Sequence, residues 1–221
     1  MVSSYIPTVR SLAYARAHRP ASGDGAPLIV AVPDAPDTPP LPGVAAEAKA
    51  LVKLMPTACW LKEPTRGTVL DALPRHSVVH FACHGYADLT DPGASELAMR
   101  DRGIEPLILQ DISALEMNQG LAYLSACDTM FARPSLADEA VHLAGAFHLA
   151  GYQHVIATLW NVSDAAARDL AVGVYARLSR NGTADPQPDL AAQALHHATR
   201  KLRARRLTIP SLWASHTHTG S

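Results

Sequence analysis

Val78-Val79-His80-Phe81-Ala82-Cys83-His84-Gly85 is an apolar run that closes on an imidazole and a glycine. A second run, Leu121-Ala122-Tyr123-Leu124-Ser125-Ala126-Cys127-Asp128-Thr129, closes on a thiol. Both are short and continuous rather than alternating, the pattern of strands buried on two faces. Upstream, Leu28-Ile29-Val30-Ala31-Val32 is a third such run, ended by Pro33, and the proline-rich stretch from Pro33 to Pro42 cannot extend it. A helix is expected from about Gly43 to Met55, with Val44, Ala48, Leu51, Val52 and Met55 at helical spacing. A brief strand near Ala58 to Leu61 and a helix from Thr65, its N-cap, to Leu73 then lead into the His84 strand.

Between His84 and Cys127 the pattern is less regular. Glu96 to Arg100 and Leu107 to Leu109 read as short strands of a side hairpin, and Asp111 to Leu115 as a short helix. Beyond Cys127 come a helix from Asp138 to Ala150, a strand from His154 to Leu159, a helix capped by Ser163 or Asp164 and running to Arg180, and a helix from Pro188 to Arg206. This alternation predicts an α/β domain with a mainly parallel sheet and helices on both faces. Right-handed crossovers place the carboxyl ends of the strands along one edge, where such sheets bind ligands, and His84 and Cys127 both fall there.

The chain of 221 residues and 23.5 kDa suits one domain, expected at 27–221 after an N-terminal extension or linker at 1–26 rich in Pro, Ser and Gly near its end. A net charge of -1 and 18% charged residues exert no pull toward nucleic acid or an anionic membrane. The basic cluster from Arg200 to Arg206 is read as a solvated helix face, since Leu202 and Ala204 interrupt it. Cys59, Cys83 and Cys127 are too few, and odd in number, for a disulfide framework. With no secretory signal and no uninterrupted apolar span, a soluble protein of the cytoplasm is expected.

A thiol attacks carbonyls as thiolate, and near its reference pKa of about 8.5 it needs a nearby cation to ionise at neutral pH. His84 can supply that charge and then protonate a leaving amine. Gly85, without a side chain, lets its N–H approach a substrate oxygen, and the N–H of Cys127 completes a two-donor oxyanion hole. The pair therefore predicts a cysteine peptidase acting on protein or peptide, with no cofactor. Asp164 is a candidate substrate-binding acid favouring Arg or Lys, though capping its own helix explains it equally well. Asp128 is a second candidate for the pocket, or faces solvent. His80 shares the strand face of His84 but is read as a satisfied core histidine, because the close paired spacings of zinc ligands are missing. Cys83 and Cys59 are read as apolar packing groups.

The pattern His-Phe-Ala-Cys-His-Gly at 80–85, Leu-Ser-Ala-Cys-Asp-Thr at 124–129 and Ala-Gly-Tyr-Gln-His-Val-Ile-Ala-Thr-Leu-Trp-Asn-Val-Ser-Asp at 150–164 resembles the CHAT domain, a caspase-like module usually found after TPR repeats. Leu-Pro-Gly-Val-Ala-Ala-Glu-Ala at 41–48 and Leu-Trp-Ala-Ser at 212–215 extend the resemblance. It implies the caspase/hemoglobinase-like fold shared with separase and gingipain, with a Rossmann-type sheet, peptide hydrolysis through a thioester on the His84–Cys127 dyad, and, by likeness to the separases, an acid at Asp164 that receives a basic side chain. It also implies a TPR-containing or other activating partner. Two features depart from the family: the polar segment Trp213 to His218 predicts a weak or exposed final strand, and the loop from Met130 to Ala137 lacks a glycine run. A catalytically silent interaction module is the competing function, and a latent enzyme awaiting its partner a third.

Overall fold

A computed structural model describes residues 2–5, 25–86, 88, 90–128 and 137–220, with the backbone alone at 126–128 and 137–142. The elements run in the order β1 (Leu28–Ala31), α1 (Pro42–Leu54), β2 (Cys59–Leu61), α2 (Arg66–Ala72), β3 (Val78–Tyr86), β4 (Glu96–Leu97), β5 (Leu107–Ile108), α3 (Leu109–Ser113), β6 (Gln119–Asp128), α4 (Ala137–Leu149), β7 (Tyr152–Thr158), α5 (Asp164–Leu178), α6 (Ala191–Arg205), α7 (Pro210–Trp213) and β8 (His216–Gly220). The main sheet has the order β2-β1-β3-β6-β7-β8, with β4 and β5 attached beside β3. Neighbours from β2 to β7 are parallel, and β8 joins β7 antiparallel.

Alternation along each strand sends successive side chains to opposite faces, and two cores result. Val30, Phe81, Cys83, Ala122, Leu124 and Val155 pack with α2, α3 and α4. Ile29, Ala31, Ala82, Tyr123 and Ile156 pack with the apolar stripes of α1, α5 and α6. Thr65 caps α2 in a reciprocal box with Thr68, as expected of a hydroxyl before that helix. At the turn from α4 into β7, Gly151 has φ of +105°, and a Cβ there would lie 1.9 Å from the carbonyl oxygen of Met117, so only glycine fits.

The chain order reverses at β1: β2 lies on one side of it and β3 on the other. This is the switch point at which an open α/β sheet forms its crevice, because the connections leaving the two central strands run to opposite faces. The segment after β1 and the end of β3 meet there.

Two sequence expectations are overturned. The final strand is neither weak nor exposed: β8 pairs with β7 from His216 to Gly220, and His218 and Thr219 are 2% and 3% exposed. His218 bonds Ser4 and His154, Thr219 bonds His148, and Tyr5 forms a parallel bridge to Thr219 on the outer edge. Cys59 is not a packing group; it is an exposed thiol on the edge strand β2. Cys83 is buried in the core, as expected.

Candidate active site

β3 and β6 are adjacent and parallel, and their register sets His84 beside Cys127 and Gly85 beside Asp128. Alternation along β3 puts His84 on the same α1/α5 face as Ala82, and the backbone of Cys127 runs beside it on β6, neighbouring strands lying about 4.8 Å apart. His84 is 3% exposed. Its Nε2 lies 2.8 Å from the carbonyl oxygen of Pro39, in the segment connecting β1 to α1. A carbonyl only accepts, so Nε2 is the protonated nitrogen and Nδ1 of the neutral ring is the one able to take a proton.

The ring of His84 also rests against Tyr86 two residues on, with centroids 5.9 Å apart and planes inclined at 33°. Ala98 donates its N–H to the carbonyl oxygen of His84 at 2.9 Å from the β4 side. Strand alternation then turns the Gly85 peptide the other way, toward β6.

Deeper on the same face lies an ionisable pair. His80 Nε2 is 3.0 Å from Glu47 Oε1, with the two side chains 1% and 4% exposed. The other carboxylate oxygen accepts a hydrogen bond of 3.4 Å from Ser125, two residues before Cys127. His80 packs on Tyr123 and Tyr175 at centroid distances of 4.9 and 5.5 Å. Its Nδ1 has no hydrogen-bond partner among the described residues, so it is a core histidine satisfied on one nitrogen only. Burial, with the Glu47 carboxylate adding to it, pushes the Tyr175 phenol well above its ordinary value.

Asp164 opens α5 but does not cap it; Ser163 holds the N-cap position, and its side chain makes no capping bond. The carboxylate reaches instead to α1, accepting the N–H of Gly43 at 2.8 Å. That amide is one of the donors a helix start leaves without an internal partner. The fit demands glycine, since a Cβ on residue 43 would lie 2.1 Å from the Cβ of Asp164. Asp164, Gly43, Glu47, Ser125 and His84 line one open pocket, with Asn161 at its side. The structure thus brings His84 and Asp164 to one pocket and sets the Cys127 backbone next to His84. The side chains of Cys127 and Asp128, and the segment 129–136 with most of the expected loop from Met130 to Ala137, lie outside the described residues.

Sequence reasoning missed Pro39, Glu47, Ser125 and Tyr86. Glu47 carried a usable signal: it interrupts the apolar stripe Val44, Ala48, Leu51 at helical spacing, and an acid on a buried face needs a partner. Pro39 acts through its carbonyl, which every residue has. Among the described residues no group of His, Cys, Asp and Glu is arranged to hold a metal, and no helix is long and apolar enough to cross a membrane.

Sheet order, a switch-point crevice and a histidine and cysteine at adjacent strand ends define a class, the caspase-like cysteine-peptidase fold. Two solved structures share that fold at identities that speak for architecture alone. Separase of Saccharomyces cerevisiae, in a complex with securin, superposes with a TM-score of 0.63 at 12% identity, over all of this chain and 14% of that one. The Arg-specific cysteine proteinase gingipain R superposes with a TM-score of 0.53 at 13% identity, over 96% of this chain and 51% of its own. The chain therefore spans only part of either protein. A family model for the CHAT domain matches residues 2–221, and the chain belongs to the CHAT domain family. No curated protein sequence matches it.

Proposed function

We propose that the protein is a cysteine endopeptidase in which Cys127 is the nucleophile and His84 its acid and base. The observation that carries this reading is the register pairing of His84 with Cys127, together with the Pro39 carbonyl that orients the imidazole. Nδ1 of His84 takes the thiol proton, the thiolate adds to the scissile carbonyl, and the same nitrogen returns the proton to the leaving amine as the thioester forms. Water, deprotonated by His84, then hydrolyses the thioester and frees Cys127. The peptide N–H groups of Gly85 and Cys127 hold the oxyanion in both steps.

Asp164 favours a substrate Arg or Lys. Its carboxylate lines the pocket beside His84, and with one oxygen on the Gly43 N–H it has a second oxygen to offer a cation. Asp128, directly after the nucleophile, is the alternative acid for the same preference. A TPR-containing or other protein partner activates the domain by shifting it toward the competent arrangement. Its setting is the cytoplasm, supported by the sparse cysteines.

Covalent labelling with a peptidyl acyloxymethyl ketone carrying Arg at P1, followed by mass spectrometry, tests the assignment. The expected adduct is on Cys127, lost in His84→Ala and weakened in Asp164→Asn. Labelling of Cys59 or Cys83 at an equal rate refutes the dyad. An Asp-P1 reagent that outcompetes the Arg-P1 reagent refutes the specificity alone.

A further inference from the structure

The stretch between β3 and β6 does more than connect the two candidate catalytic strands. Within it, Glu96 and Leu97 pair antiparallel with Tyr86 and Gly85, and Leu97, Ala98 and Met99 are fully buried. The connection therefore leaves the core as a rigid arm. The turn from 100 to 105 then presents two arginines to the β1–α1 segment.

Arg100 donates through Nη1 to the carbonyl oxygen of Asp34 at 3.0 Å. Arg102 donates to the carbonyl oxygen of Pro36 at 3.4 Å, and its guanidinium carbon lies 4.3 Å above the ring centroid of Tyr86. Glu96, on β4, accepts from Nε of Arg102 and fixes its direction, with the two side chains 23% and 16% exposed. Both contacts of Arg102 lead to the same imidazole. Tyr86 stacks against the His84 ring, and the segment tethered at Pro36 carries the Pro39 carbonyl that accepts from His84 Nε2.

We propose that Arg102 is a positioning residue for His84, holding Tyr86 against one side of the ring and the Pro36–Pro39 segment against its Nε2 edge. A planar guanidinium can stack on an aromatic ring and donate in its own plane at once, which an ammonium cannot do. Cut loose, the imidazole keeps its place at the end of β3 but loses what selects the Nε2–H tautomer, and with it the protonation pattern that leaves Nδ1 as the acceptor. This rests on His84 being the acid and base of Cys127, as proposed above.

The test uses the full chain and two measurements. The first is the ¹⁵N spectrum of the histidine side chains at pH 8, with the His84 signals assigned through His84→Ala. Wild type is expected to show one Nε2–H tautomer at His84, and Arg102→Met, which keeps the aliphatic stem, a mixture of the two tautomers. Arg102→Lys is expected to restore the single tautomer only in part, and Tyr86→Phe, which keeps the stacked ring, to match wild type. The spectrum reads the resting protein, so it does not wait on turnover.

The second is inactivation by the Arg-P1 acyloxymethyl ketone. In Arg102→Met the maximal rate is expected to fall about tenfold while the half-saturating concentration stays unchanged, the signature of a misaimed proton carrier rather than a damaged pocket. A single Nε2–H tautomer in Arg102→Met, or a maximal rate within twofold of wild type, overturns the proposal while His84→Ala still abolishes labelling. If His84→Ala labels Cys127 as fast as wild type, the dyad reading falls and the role of Arg102 falls with it.

Discussion

Acidification strikes this fold at its last strand. His218, 2% exposed, shares one hydrogen bond of 2.7 Å with Ser4 and another of 3.2 Å with His154. Burial, and then the neighbouring His154 and His148, lower its pKa to about 3 from an ordinary 6.5. His216 as a whole is only half-buried, but its Nε2 is shut off from solvent with no hydrogen-bond partner among the described residues, and burial, then the neighbouring His80, lowers it likewise to about 3. In the unfolded chain both groups protonate below pH 6.5; in the folded chain they stay neutral until about 3. Between those values the unfolded state binds more protons, so stability rises with pH and falls on acidification.

From pH 7.5 to 5.5 each histidine costs about 1.4 kcal/mol, and the two together about 3 kcal/mol. His148 and His154 are shifted in the same direction by burial and add to the loss. Carboxylates of ordinary pKa remain ionised across this window, so the slope belongs to the imidazoles. Urea unfolding at half-unit pH intervals reads the slope directly, and His218→Gln should flatten it by nearly one proton while leaving the remainder. Stability constant to within about 0.5 kcal/mol across the window, or a His218→Gln slope equal to that of wild type, refutes the reasoning.

Two further outcomes follow from the pocket side. Glu47→Gln removes the charge that His80 and Ser125 answer, and Glu47→Leu leaves both without it; the second should cost about 3–5 kcal/mol in urea unfolding, partly regained when His80→Phe is added, because the pair contributes little beyond its own satisfaction. Gly43→Ala forces a Cβ into Asp164 and should cost about 1–3 kcal/mol, with the proposed preference for Arg over Leu at P1 falling more than the rate on either. Equal loss on both substrates would separate Gly43 from the specificity pocket.

Much of the architecture was legible because it is local. An apolar run that stops at Pro33 is a strand end in any context, and Thr65 before a helical stripe is a cap wherever it occurs. His84 and Cys127 could be read as strand-end residues on the same grounds. Asp164 was legible as an acid at a helix start, but not the helix it serves: its partner is the Gly43 N–H, 121 residues away, and that contact exists only because α1 and α5 pack side by side. The burial of β8 was misread for a related reason. Polar side chains look like a solvent-facing strand until Ser4, His148 and His154 are brought around them.

The sequence by itself determined most of the strands and helices, the parallel α/β class and the two candidate residues at strand ends, since periodicity, caps and breakers act over a few residues. Only the tertiary structure decided which strands are neighbours and which backbone groups face them. That choice set His84 beside Cys127, turned an unremarked Pro39 carbonyl into the acceptor for its Nε2, and buried Glu47 against His80. These contacts join parts of the chain 33 to 45 residues apart, where no local pattern reaches and the order of strands about the switch point governs what meets.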